Sequence, residues 1–303
     1  MTLRSDNRAR LPGPIGNSTA GAGARVPGPL GFQVVVMTPV AVAQVKALKM
    51  PPPASGDEKY YAHSFGSNLF NKGGPVVADV QQGNLAICPI AAILAALAHT
   101  ASGKKRLAGM VAEHSAVVET DLTGVSKLET PEKKIITKRY FTVTLGKTFE
   151  VSDVLYTDDA DRNWSPIYMK SPTDALWACM IEKAFAVQMG SYQELDREGV
   201  TVNHFWKILL GADPQGIKVD DNTDLSRIKS IASAAAKVPT IGASRDDPQV
   251  ETHSRGKVAS WHGYAVLGVR GSNIELYDPH RKKLELSLAE FRSFFQALFF
   301  GNP

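Results

Sequence analysis

Apolar helical runs in the earlier part of the chain, period-two alternation at 135–156 and a second hairpin near the C-terminus predict an α+β fold built in two halves. The clearest helix begins at Cys88. Pro89 suits a first helical turn, and Ile90-Ala91-Ala92-Ile93-Leu94-Ala95-Ala96-Leu97-Ala98 is apolar nearly all round, the pattern of a central buried helix. The first hairpin lies at 135–156, where Tyr140, Thr142 and Thr144 alternate with Phe141, Val143 and Leu145 before Gly146-Lys147 turns the chain into Phe149, Val151 and Val154. The second comprises Tyr264–Val269 and Ile274–Tyr277, joined by Arg270-Gly271-Ser272-Asn273.

The remaining elements are weaker. Residues 1–31 read as a disordered leader, because Pro12-Gly13-Pro14-Ile15-Gly16 and Pro27-Gly28-Pro29-Leu30-Gly31 offer too little apolar surface to offset the entropy of ordering them. Phe32–Val36 reads as a short strand, and Ala41–Met50 as a short helix stopped by Pro51-Pro52-Pro53. Gly103-Lys104-Lys105 is expected to end the helix that starts at Cys88. A second helix is expected over Thr173–Gly190, where Leu176, Trp177, Met180, Ile181, Ala184, Phe185 and Met189 share a face, and a third over Leu225–Ala236. Lys283–Leu286 reads as a strand and Ser287–Phe300 as a closing helix. Residues 32–303 then form one domain, with 32–165 and 166–225 a mainly helical half carrying the first hairpin and 226–303 a β-rich half.

Composition narrows the function. Thirty-four basic and 30 acidic residues leave a net charge of +4, too small a surplus to point to nucleic acid. The densest basic run, Lys133, Lys134, Lys138 and Arg139, is interleaved with Ile135 and Ile136 and reads as the solvated face of a strand. No stretch approaches the roughly 18–20 apolar residues of a membrane span, and the N-terminus, with Arg4, Asp6, Arg8 and Arg10, is no secretory signal. A protein made in the cytoplasm is expected, exported or injected, if at all, without a conventional signal. Two cysteines, Cys88 and Cys179, cannot build a disulfide framework, and a free reactive thiol is the better reading.

A thiol attacks carbonyl carbon as thiolate, and three aids favour that form: a helix N-terminus, a neighbouring imidazole and a polarising group behind the imidazole. Cys88 has the first by local sequence. Taken alone, such a cysteine reads first as a small buried hydrophobe, and the surrounding residues have to overturn that reading. Gln82-Gly83, six and five residues upstream, supplies a side-chain amide able to donate to an oxyanion together with the Cys88 N–H. His262 stands at the start of one strand of the second hairpin and Asp278 at the end of the next, so the two ends lie side by side and the carboxylate can orient the imidazole. Cys179, Trp177, Met180 and Phe185 read as helix core. His63, His99, His114, His204 and His253 have no partner at metal-ligand spacing, and no nucleotide-binding glycine loop is present.

Gln82-Gly83-Asn84-Leu85-Ala86-Ile87-Cys88 resembles the nucleophile motif of the calpains. Leu176-Trp177, followed by Glu182-Lys183-Ala184-Phe185-Ala186 and Gly190-Ser191-Tyr192, is similar to a second calpain signature, His262-Gly263-Tyr264 to the family's His-Ala-Tyr, and Asp278-Pro279 stands at its Asn-Pro. Order and spacing agree from about residue 75 to 297. The resemblance implies a papain-like fold of two subdomains and a cysteine endopeptidase acting on protein substrates, with Cys88 as nucleophile, His262 as base, Asp278 as orienting group and Gln82 in the oxyanion hole. The chain departs from the family in Pro89, where an aromatic residue follows the nucleophile, and in Asp278-Pro279-His280-Arg281, where the family has Asn-Pro-Trp-Gly. The carboxylate at 278 keeps a transglutaminase or protein deamidase open as an alternative, and a catalytically inactive papain-like binding module is a third reading. Calpain cores bind calcium through acidic loops. The acidic run Asp153, Asp158, Asp159 and Asp161 carries no recognisable ligand pattern, so no cofactor is expected and calcium independence is the reading. A lone core behind a Pro-Gly leader would suit a microbial effector or toxin. His280 and Trp261, flanking the catalytic candidates, are candidates to line the cleft.

Overall fold

The computed structural model describes residues 44–54, 59–125, 128–157, 165–197, 201–280 and 282–301. The leader, the strand expected at Phe32–Val36, and Asp158, Asp159, Asp161 and Arg281 lie outside the described residues. In chain order the elements are β1 (Lys46–Lys49), β2 (Tyr61–Ser64), α1 (Cys88–His99), α2 (Ala101–Met110), β3 (Val111–Asp121), β4 (Lys134–Leu145), β5 (Lys147–Ser152) and β6 (Val154–Thr157). There follow α3 (Trp177–Met189), α4 (Tyr192–Leu195), α5 (Val202–Leu210), β7 (Gln215–Lys218), α6 (Leu225–Ser233), β8 (Thr240–Ser244), α7 (Gln249–His253), β9 (Gly263–Arg270), β10 (Asn273–Asp278), β11 (Lys282–Ser287), α8 (Leu288–Phe294) and β12 (Phe295–Phe300).

The fold is α+β. One sheet has the order β1-β3-β4-β5 and a larger one the order β11-β10-β9-β8-β12-β7, with β2-β6 as a separate pair. Only β1 on β3 is parallel among these pairings. The β4–β5 hairpin turns at Gly146, whose φ of 76° suits glycine. The α1 helix is central, as its all-round apolar sequence demands: Ile90 to Ala98 are all at most 1% exposed. It packs on β9, β8 and α2, so the larger sheet and the helical layer meet along it. The apolar interior falls into two clusters. The larger gathers α1, α3 and β4; the smaller lies on the second sheet around Ile228, Val266, Leu276, Phe291 and Leu298. Strand β7 brings residues 215–218 into the second sheet, upstream of the half-boundary at 226 expected from the sequence.

Three expectations are corrected. The described part of the helix expected at Ala41–Met50 is extended instead: Lys46–Lys49 pairs in parallel with Val118–Asp121, and sheet partners outweigh a weak local propensity. Gly103 does not end the Cys88 helix. The break comes at Thr100, whose side chain accepts from Gly103 N–H at 3.0 Å and so caps α2. Gly103 is needed there because a Cβ would press on the Leu97 backbone. The closing helix stops at Phe294. Ser287 and Glu290 form its capping box, but from Phe295 the backbone is extended and pairs with β8 and β7. The basic run is the solvated face of a strand only in part: Lys134 and Lys138 are exposed, whereas Arg139 turns inward to Asp153 at 3.1 Å and to the Ser67 carbonyl at 2.7 Å. Among the described residues, no helix is long and apolar enough to cross a membrane.

Buried polar side chains fasten the loops to this frame. Asp79 accepts from Val76 N–H at 2.8 Å, from the Thr173 hydroxyl and from the Trp177 indole at 2.6 Å. On α3, Glu182 receives the Met169 N–H on its carboxylate at 2.9 Å, and burial pushes its pKa up to about 8. Lys183, next to it, donates to the Ser152 and Val154 carbonyls at 3.0 and 2.6 Å, and burial lowers its pKa to about 7. These contacts explain why α3 carries two ionisable residues on an otherwise apolar surface. Truncating Glu182 to Ala leaves the Met169 N–H buried and unpaired, and is expected to cost about 1–3 kcal/mol in denaturant unfolding, whereas Glu182→Gln, which keeps an acceptor, recovers most of that loss.

Candidate active site

Cys88 is the first residue of α1 and is half-buried. Ile87, which precedes it, offers no side-chain cap, so the unpaired N–H groups of the first turn supply the partial positive charge at this helix end. The approach to Cys88 is held by backbone. Gln82 N–H donates to the Pro279 carbonyl at 3.2 Å and Asn84 N–H to the Ile167 carbonyl at 2.9 Å. Gly83 lies so close to the carbonyl oxygens of Ile167 and Tyr168 that a Cβ would overlap both. Gln82 is buried; its amide nitrogen donates to the Leu85 carbonyl at 2.6 Å, and its amide oxygen is buried without a partner among the described residues. One N–H of that amide is thus spent on Leu85, and the second remains.

His262 leads into β9 and is 8% exposed. Its backbone is clamped by Ser244 at the end of β8: His262 N–H donates to Ser244 Oγ at 2.8 Å, Ser244 N–H to the His262 carbonyl at 2.9 Å, and the hydroxyl itself donates to the Ala259 carbonyl at 2.7 Å. A Cβ on Gly263 would stand 3.2 Å from the Cys88 carbonyl oxygen, so the segment bearing the imidazole abuts the peptide bearing the thiol. The imidazole Nε2 meets Asp278 Oδ1 at 3.0 Å, and the same oxygen accepts His280 N–H at 2.8 Å. That leaves Nδ1 for the Cys88 thiol. The ring is sandwiched between His280, stacked at 5.1 Å and 21°, and the edge of Tyr264 at 4.8 Å.

Electrostatics follow from this packing. Burial alone would lower the pKa of His262; the hydrogen bond to Asp278 and then the interaction with Cys88 outweigh it, raising the value to about 9. Burial acts on Asp278 in the opposite sense, upward, but its hydrogen bond to His262 prevails and keeps the carboxyl below its usual range. The arrangement favours an imidazolium between a carboxylate and a sulfur, the charge state that makes a thiol nucleophilic.

The structure thus brings Cys88, His262 and Asp278 together, with Gln82 tied to the same turn through Pro279. His280 joins them as a stacking partner. Ser244 was not legible in the sequence: it ends an apolar strand, Thr240-Ile241-Gly242-Ala243-Ser244, with no motif to mark it, and only the β8–β9 pairing reveals its contact. Cys179 lies elsewhere, fully buried, its Sγ donating to the Met169 carbonyl at 3.1 Å and its pKa raised by burial. His99 bonds the Leu267 carbonyl and His114 the Thr142 hydroxyl, both outside the site. Among the described residues no group of three His, Cys, Asp or Glu is placed to hold a metal ion.

Residues 62–287 match the family model described as calpain family cysteine protease. A search of curated proteins gives no significant match. The His262–Asp278 contact carries a pH signature. With a folded pKa of about 9 against 6.5 for free histidine, its stabilisation is full below about pH 6.5 and is lost as pH rises through about 9; the depressed Asp278 pKa removes it again in acid, as pH falls from about 3.8. Melting curves of wild type and Asp278→Asn are therefore expected to differ most between about pH 4 and 6.5 and to converge above about pH 9.

Proposed function

The chain belongs to the calpain family of cysteine proteases, and from that membership we propose a papain-like endopeptidase in which Cys88 is the nucleophile, His262 its proton partner, Asp278 the orienting carboxylate and Gln82 an oxyanion donor. The observation that carries this reading is geometric: His262 Nε2 lies 3.0 Å from Asp278 Oδ1, while Gly263, the next residue, abuts the Cys88 peptide. The two apolar clusters support a division into a helical subdomain and a β-rich one, with α1 packed against the larger sheet between them.

The chemistry follows from the atoms present. The Cys88 proton passes to His262 Nδ1, and Sγ attacks the scissile carbonyl carbon. As the C–S bond forms, the carbonyl electron pair moves onto oxygen, where the Cys88 N–H and the second N–H of Gln82 receive it. The imidazolium then protonates the amide nitrogen, the C–N bond breaks and an amine leaves. Water enters, gives a proton to His262 and attacks the thioester. Collapse of that second oxyanion releases the acid, and the proton returns to sulfur. Asp278 keeps the imidazole in the orientation each transfer requires and stabilises its positive form.

A carboxylate in the third position is also the arrangement of transglutaminases, so the products decide between hydrolysis and transfer. Incubation with a peptide library, read by mass spectrometry, is expected to show new termini; cross-links or one-unit mass gains at Gln would establish acyl transfer or deamidation instead. Cys88→Ala abolishes the activity, and Gln82→Ala lowers kcat by about 10²–10³ with the fold intact. If Cys88→Ala retained cleavage, the nucleophile would be misassigned. Activity is expected to survive a calcium chelator, and its loss on chelation would refute the calcium-free reading.

A further inference from the structure

Trp261 immediately precedes the base and does nothing visible for the fold. It is 68% exposed, the only aromatic among the large hydrophobic side chains exposed in the described residues. Its indole has neither a ring contact nor a hydrogen bond among those residues; only its backbone is engaged, Trp261 N–H donating to the Arg245 carbonyl at 3.0 Å. Its φ is 49°, in the left-handed region that bulky L residues avoid. The turn needs this conformation, because Trp261 N–H is held by Arg245 and His262 N–H by Ser244, 2.8 Å away. Glycine or asparagine would adopt it with less strain. A large apolar ring thus occupies a position where both solvation and backbone oppose it, on the residue whose Cα lies ~3.8 Å from that of His262.

Resting on the peptidase reading, we propose that Trp261 is a specificity-determining residue: its indole forms the wall of the groove on the amine side of the scissile bond and stacks on an apolar or aromatic side chain of the residue that leaves as the new N-terminus. The geometry assigns that side. His262 delivers its proton to the leaving nitrogen, so the substrate residue beginning with that nitrogen passes beside the imidazole, whereas the acyl portion is held by Cys88 and the oxyanion donors at the start of α1. The flat ring favours stacking on Phe, Tyr or Leu, and its N–H can bond a substrate carbonyl.

The test uses the full chain and a set of peptides identical except for Phe, Leu, Gly or Asp directly after the cleaved bond. Trp261→Asn keeps the left-handed turn and removes the ring; Trp261→Phe keeps an aromatic surface. Trp261→Asn is expected to lose about tenfold in kcat/KM on the Phe and Leu peptides and less than about twofold on Gly, with Trp261→Phe recovering most of the loss and the melting temperature of Trp261→Asn unchanged or raised. Binding of the Phe peptide to Cys88→Ala, by calorimetry, gives a readout independent of turnover, and adding Trp261→Asn to that protein should weaken it by a similar factor. Equal losses on all four peptides, or none, overturn the contact while leaving the peptidase reading intact. If the wild type cleaves nothing yet Cys88→Ala binds the Phe peptide through Trp261, the peptidase reading fails and the aromatic wall stands. Absence of any Trp261-dependent binding overturns it.

Discussion

The structure turns on keeping one imidazole charged where water barely reaches it. Burial works against a positive His262, and the two neighbours that reverse this, Asp278 and Cys88, come from opposite ends of the sequence. Each must be placed to within a few tenths of an ångström for the reversal to work, since a hydrogen bond at 3.0 Å weakens steeply as it lengthens. The strands, the tight turns and the buried ion sites are the means of holding that alignment.

The fold meets the requirement by bringing backbone against backbone. Gly263 lets the β9 strand lie on the Cys88 peptide, and Gly83 lets the preceding loop lie on the Ile167–Tyr168 carbonyls. Ser244 fixes the base from behind through its hydroxyl and its own N–H. Further out, Asp79 and Glu182 collect N–H groups from loops that no secondary structure satisfies, so the burial of charge on α3 serves the loops rather than the helix itself.

Much of this was legible in the residues, and the limits have physical causes. The α1 and α3 helices and both hairpins announce themselves locally: all-round apolarity at 90–98, helical spacing at 177–189, alternation at 140–145, and the turn Arg270-Gly271-Ser272-Asn273 between two short apolar runs. The pairing of His262 with Asp278 followed from hairpin geometry. Segments whose state is set by distant partners misled. Lys46–Lys49 and Phe295–Phe300 are strands because β3 and β8 lie beside them, information that no local window holds. The long strand β3 carries no single dominant signal, whereas α5 is marked by Thr201 and Gly211 at its ends and by Phe205, Trp206, Leu209 and Leu210 on one face. The role of Ser244 depends on an interstrand register, and the stacking of His280 on a turn geometry, which is why composition and spacing alone do not find them.

The Gln82 N–H bonds the Pro279 carbonyl, and the Tyr277 hydroxyl bonds the Val80 carbonyl at 2.6 Å, so the loop that leads to the sulfur is sewn twice to the turn that carries the acid. Those two segments must travel as a single rigid piece. Any breathing of the molecule that admits a chain between its walls therefore has to bend elsewhere, leaving the donor amide and the carboxylate in fixed mutual register while other parts yield.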